Sequence, residues 1–135
     1  MQLGQAGATV YLTGRTERDL AAVAHEVSKR GGRPVPVVMD HGVDRDVESL
    51  FERINSEQKG RLDLCVNNVY AGVGTIFNNQ GKSFWETDPC ATWDSINGVG
   101  LRGHYICTTL AARMMTKRKS GLIVIVSSIA GLKYI

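Results

Sequence analysis

The sequence has no apolar run approaching the ~20 residues that cross a bilayer, so no transmembrane segment is expected. It has only three cysteines, Cys65, Cys90 and Cys107, and no CxxC pair among them. That number and spacing support neither a disulfide framework nor a zinc cluster, and point to buried or free thiols in a reducing compartment. No second histidine or cysteine lies at ligand spacing to His41, so no metal is expected either. Neither sign dominates: the net +3 is too mild to argue for nucleic acid, though it suits a phosphate-bearing ligand. Met1 to Gly14 lacks a basic n-region and is broken by Gly4 and Gly7, unlike a signal peptide. Internal repeats, low-complexity tracts and linkers are absent as well.

What is present reads as one globular domain over residues 1–135, with 43% apolar and 21% charged residues. Ala8 to Thr13 is a short β-branched, apolar run and reads as a strand. Thr16 to Arg30 reads as a helix, with Thr16 and Asp19 forming a capping-box start and Leu20, Val23, Ala24 and Val27 forming one apolar stripe. Gly31 and Gly32 stop it. Val35 to Met39 is a second strand. Asp44 to Lys59 is a second helix, with Val47, Leu50, Phe51 and Ile54 on one face and Gly60 at its end. Leu62 to Val66 is a third strand. Tyr70 to Pro89 has weak periodicity and reads as a long functional loop. A long helix over Thr92 to Lys117 and a strand over Leu122 to Val126 complete the chain.

Almost purely apolar strands alternating with amphipathic helices predict an α/β fold, a parallel sheet covered on both faces. In such a sheet, ligands bind beyond the carboxyl ends of the strands. Those ends read Gly14-Arg15, Asp40-His41, Asn67-Asn68 and Ser127-Ser128. In a dinucleotide fold an acidic residue at one strand end grips the ribose 2′-hydroxyl of NAD; the run Ala8 to Thr13 ends instead in Gly14, followed by Arg15. A guanidinium in that place can bind a 2′-phosphate through paired hydrogen bonds, or simply be solvated before a helix. Asp40 suits either an adenine amino group or a turn, and Asn67-Asn68 either a cofactor wall or turn chemistry. Ser128 can hydrogen-bond a carbonyl or cap a helix, and no base stands beside it to make it a nucleophile. His41 reads as an exposed loop histidine.

Two features are decoys. Gly81-Lys82-Ser83 mimics the end of a phosphate loop, but the glycine required five residues earlier is Ile76. The cations Arg113, Lys117, Arg118 and Lys119 sit where a helix C-terminus attracts positive charge.

Taken together, GATVYLTGR, a strand ending in Asp40, LDLCVNN and GLIVIVSSIAG resemble the short-chain dehydrogenases/reductases in order and spacing, over nearly the whole chain. The excursion from Gly74 to Tyr105 is similar to one branch of that family. The resemblance implies a Rossmann-type doubly wound parallel sheet and hydride transfer between NADP(H) and a small-molecule carbonyl or alcohol, with steroids and xenobiotics among the family's substrates. It assigns Arg15 to the 2′-phosphate, Asp40 to adenine, Asn67 and Asn68 to the adenosine ribose wall, and Ser128 to orienting the carbonyl, with Ser127 as the fallback. A cytoplasmic location is the default expectation, and the resemblance adds the cytosolic face of the endoplasmic reticulum. The long helix forms a dimer face in many members, which allows a homo-oligomer.

Three departures stand out. The family's NNAG motif reads Asn67-Asn68-Val69-Tyr70, with a bulky ring where glycine is usual. The asparagine of the catalytic tetrad is replaced by Gly100, one turn after Asn97 on the same face. The family's glycine-rich loop and first strand are expected before residue 1, and its Tyr-x-x-x-Lys pair after residue 135; Tyr11, Tyr70 and Tyr105 have no lysine four residues on, and Tyr134, six residues past Ser128, is too close to it to be the family's tyrosine. The sheet is therefore expected to be incomplete. In the family the tyrosine donates a proton as hydride arrives, while the lysine lowers its pKa. A non-catalytic nucleotide-binding or interaction module is the alternative, and an unrelated doubly wound fold such as a methyltransferase is a third. Purified residues 1–135 are expected to show no NADPH oxidation with any carbonyl, in an absorbance assay at micromolar protein; clear turnover overturns this.

Overall fold

The computed structural model describes residues 2–129. They fall into two compact units, Met1–Asp46 and Val47–Ile135.

The first unit runs α1 (Gln2–Gln5), β1 (Thr9–Gly14), α2 (Glu17–Lys29) and β2 (Arg33–Val38). β1 and β2 pair in parallel, from Thr9 opposite Arg33 to Gly14 opposite Val38. The connecting helix α2 packs on both strands and buries Leu20 and Val27, two members of the stripe read from its 3.6-residue period. It ends where Gly31 takes φ +92, a left-handed conformation that side chains resist. The amides of Arg33 and Met39 donate to Ala8 O and Gly14 O on the β1 side. Direction alternates along a strand, so Pro34 and Pro36 face the other way, where their missing N–H groups cost no ladder bond. Two prolines on that side also blunt β2 against further strand pairing.

The second unit takes up α3 (Asp44–Glu57) from Val47 onward. It continues with β3 (Leu64–Asn67), α4 (Val73–Asn78), a 3-10 turn (Phe84–Glu86), α5 (Pro89–Asn97), a π-helical turn (Gly98–Gly103), α6 (His104–Arg118) and β4 (Leu122–Ile125). β3 and β4 pair in parallel, from Leu64 opposite Leu122 to Asn67 opposite Ile125. The core comprises Val47, Leu50, Phe51 and Ile54 of α3 and Cys107, Ala111, Met114 and Met115 of α6. Burial pushes the Cys107 thiol up to about 11, with Cys65 adding to the effect, so it stays protonated at neutral pH. α6 closes with Lys119 in the left-handed region, capped by the Lys119 and Ser120 amides. Arg118 and Arg61 both bond Asp63 beside β3, and Arg61 foremost holds that carboxyl below its usual range. The pair is half-exposed and contributes little to stability.

Several expectations need correction. Thr16 is the N-cap of α2 but makes no side-chain cap bond, and Asp19 lies 3.5 Å from Arg18 instead. The capping box sits at Ser83, whose amide donates to Glu86 Oε2 at 2.7 Å. Gly81-Lys82-Ser83 is thus a turn, with Gly81 at φ +81. The stretch read as a structureless loop contains α4 and this 3-10 turn. The long helix begins earlier than Thr92, because Asp88 caps it through the Ala91 amide at 2.8 Å and Pro89 fits its first turn. The strands are not fully covered: α6 packs against β4, yet Leu122, Ile125, Val126 and Val66 are about half exposed.

Packing of the first unit turns on one close approach. A Cβ on Gly32 would lie 2.6 Å from Gly4 Cα and 2.9 Å from a Val27 methyl. Gly32→Ala is expected to lower stability by about 1–3 kcal/mol, measured as a drop in the urea midpoint; an unchanged midpoint would show that α1 yields freely.

Candidate functional site

Arg15 lies one residue beyond β1 and is exposed. It lines a groove of about 330 Å³ with Thr13, Gly14, Thr16, Asp19, Leu20 and Val23, at the N-terminus of α2. The guanidinium makes no ion pair or hydrogen bond with any described residue. Gly14 keeps the floor of the groove low: a Cβ there would reach 3.4 Å from Leu20 Cδ2. The one carboxylate on the rim, Asp19, is turned to Arg18.

Because Gly14 is paired with Val38, the parallel register carries Asp40 to the same edge as Arg15. Asp40 Oδ1 accepts from the Gly42 amide at 2.8 Å, an Asx turn, while its own amide donates to Asp46 Oδ2 at 2.9 Å. The turn reading of Asp40 thus holds for one carboxylate oxygen. His41 is half-buried rather than an exposed loop residue: its Nε2 lies 2.9 Å from Thr13 Oγ1, linking the two strand ends. Sequence gave no signal of that bond, because it joins positions 28 apart.

In the second unit, Asn67 is buried, and its Nδ2 donates to Thr108 Oγ1 of α6 at 2.9 Å. Cys65 Sγ reaches its Oδ1 at 3.9 Å. The amide therefore faces inward and is satisfied inside the protein. Asn68 is exposed. Val69 O accepts from His104 Nε2 at 2.9 Å, and since a carbonyl only accepts, that nitrogen carries the proton. Asn97 donates its Nδ2 to Trp93 O on its own helix at 3.1 Å. Ser127 and Ser128 are exposed, just past β4 and beside the Asn67 end of β3. Tyr134 lies outside the described residues. Among the described residues no cluster of histidine, cysteine and carboxylate side chains could hold a metal, and no helix is long and apolar enough to cross a membrane.

Each unit thus presents polar residues just past the carboxyl ends of a parallel strand pair. The family model for short chain dehydrogenase matches residues 1–135. The chain belongs to the short-chain dehydrogenase family. It is 56% identical over 134 residues to dehydrogenase/reductase SDR family member 1 of Mus musculus and 54% identical to that of Homo sapiens. These relatives represent the branch that the Gly74–Tyr105 excursion resembles. Each alignment spans 99% of this chain and 42% of the relative, so the chain spans under half the length of these proteins. A solved metagenomic short-chain oxidoreductase in complex with NADP superimposes with a TM-score of 0.85 at 29% identity, over 99% of this chain and 57% of that one. The fold is therefore the family's Rossmann-type α/β fold, with the described strands in two parallel pairs.

The buried Asn67 amide yields a direct test. Asn67→Ala removes the partner of the Thr108 hydroxyl and is expected to cost about 1–3 kcal/mol, read as a shift in the denaturant midpoint; a change below about 0.5 kcal/mol would mean that water replaces the amide.

Proposed function

We propose that this chain forms the adenosine-facing part of an NADP(H)-dependent oxidoreductase that reduces carbonyl compounds. The observation that carries the reading is Arg15. It is a cation with no ion pair or hydrogen bond among the described residues, on an open groove at a strand end where NAD-binding folds keep a carboxylate. A guanidinium binds a phosphate through two parallel charge-assisted bonds, which a ribose hydroxyl cannot match. Gly14 leaves room for that group to approach the backbone. Asp40 keeps its second carboxylate oxygen for the adenine amino group, since Oδ1 is taken by the Asx turn. At the other strand pair, exposed Asn68 faces the adenosine ribose, with buried Asn67 as its support. Ser128 orients the substrate carbonyl and stabilises the negative charge that develops on its oxygen, with Ser127 in reserve.

The nicotinamide coenzyme, when bound, supplies the hydride; the residues of this chain bind and orient. The NADP in the metagenomic relative's complex supports the same coenzyme here. The dehydrogenase/reductase names of the relatives favour this reading over a binding module without chemistry. A small carbonyl or alcohol is the substrate class, steroids and xenobiotics included. The protein acts in the cytoplasm or on the cytosolic face of the endoplasmic reticulum, and pairing through the long helix would make it a homo-oligomer.

The test uses ligands limited to the adenosine side. In calorimetric titration of the full chain, 2′,5′-ADP is expected to bind more tightly than 5′-AMP by about tenfold or more. Arg15→Ala is expected to abolish that difference and leave 5′-AMP unchanged. Equal affinities in the unaltered chain would remove Arg15 as the phosphate reader.

A further inference from the structure

The two places where the sequence departs from its family within the chain, Tyr70 and Gly100, are in contact. A Cβ on Gly100 would lie 2.9 Å from Tyr70 Cδ2 and 3.4 Å from Cε2, so the ring rests on the bare α-carbon. The far end of the ring rests on Gly72, where a Cβ would collide with the Tyr70 hydroxyl. Gly100 belongs to the π-helical turn between α5 and α6, and π-turns widen a helix locally at the place where they occur. The next residues at four-residue spacing are His104 and Thr108. His104 Nε2 donates to Val69 O, and Thr108 Oγ1 accepts from Asn67 Nδ2, both at 2.9 Å. Gly100, His104 and Thr108 therefore receive Tyr70, Val69 and Asn67 in reverse order along one stripe.

We propose that this stripe is a clasp that sets the path of the chain leaving β3, with Gly100 and His104 as positioning residues. Within Asn67–Tyr70, only Asn68 takes no part in the clasp, and it is exposed. Holding its neighbours on both sides fixes where its amide points. Tyr70 and Gly100 act as one unit: the ring demands the missing side chain, and the missing side chain leaves room for the ring. His104 acts through its N–H alone, so any side chain that delivers an N–H to the same carbonyl will serve. That Asn68 meets a nucleotide rests on the function proposed above; the clasp does not.

The experiment measures amide exchange of residues 69–72 in the full chain, with the amides of α3 as the folding control, alongside NADPH titration. Gly100→Asn is expected to speed exchange in 69–72 by about tenfold, the effect of overpacking at a tight contact. Adding Tyr70→Gly to Gly100→Asn restores most of the protection. His104→Gln, which keeps an N–H donor, behaves like the unaltered chain, and His104→Ala behaves like Gly100→Asn. Additive effects of the two substitutions at 70 and 100, or equal damage from His104→Gln and His104→Ala, would overturn the clasp. Where Gly100→Asn also loses α3 protection, the double variant decides: recovery supports the clasp and continued loss refutes it. If exchange follows the expected pattern but NADPH binds to none of the chains, the clasp stands and the nucleotide reading fails.

Discussion

A backbone carbonyl that can only accept, at Val69, and an imidazole N–H that reaches it from His104 fix how the chain leaves β3. Two further contacts between the same segments flank that bond. Asn67 is buried against Thr108 one turn further along the same helix, and Tyr70 lies on Gly100 one turn before. An unsatisfied amide or carbonyl at this depth would cost a few kcal/mol, so the strand end and the helix are joined by polar matching as much as by apolar packing. Below the clasp, α6 turns its apolar side, Cys107, Ala111, Met114 and Met115, into the core. One helix thus anchors the core with one stripe and the candidate ligand wall with another.

The first unit solves the same problem with different chemistry. There the strand ends are joined by His41 and Thr13, and the helix start beside them carries Arg15. Two glycines allow α1 to approach the turn after α2, and two prolines close the outer edge of β2. The result is a short parallel pair whose carboxyl ends lead into a cation, Arg15, and a carboxylate, Asp40. The partly exposed faces of β3 and β4 show that apolar composition alone does not guarantee coverage. Among the described residues each of the four strands has one partner, β1 with β2 and β3 with β4.

Periodicity was a full guide for α3 and a partial one for α2, where Leu20 and Val27 are buried but Val23 of the same stripe is exposed on the groove. The stripe of α3 is buried at all four residues read from the pattern, and the four strands lie within two residues of the expected runs. It failed where structure is held by local polar bonds. The Ser83–Glu86 capping box and the Asp88–Pro89 helix start were both written in the sequence, but they lie in a polar stretch without a repeating apolar face. The Thr16–Asp19 pair had the right letters without forming the bond, because a cap also needs its side chains turned to the helix amides, and Asp19 is drawn to Arg18.

The sequence by itself determined the alternation of strands and helices, the core stripes, and which residues stand at the strand ends, because each of these depends on local period and residue type. It also determined the family, because the order and spacing of weak motifs together are specific. Only the tertiary structure decided that Asn67 faces inward while Asn68 faces out, that His41 is tied to Thr13, and that Tyr70 and Gly100 are partners. Those contacts join residues some thirty to forty positions apart, like Asn67 and Thr108 at 41. Nothing in local propensity encodes which side chains of two distant segments will meet; that follows from strand register and helix packing once the chain has folded.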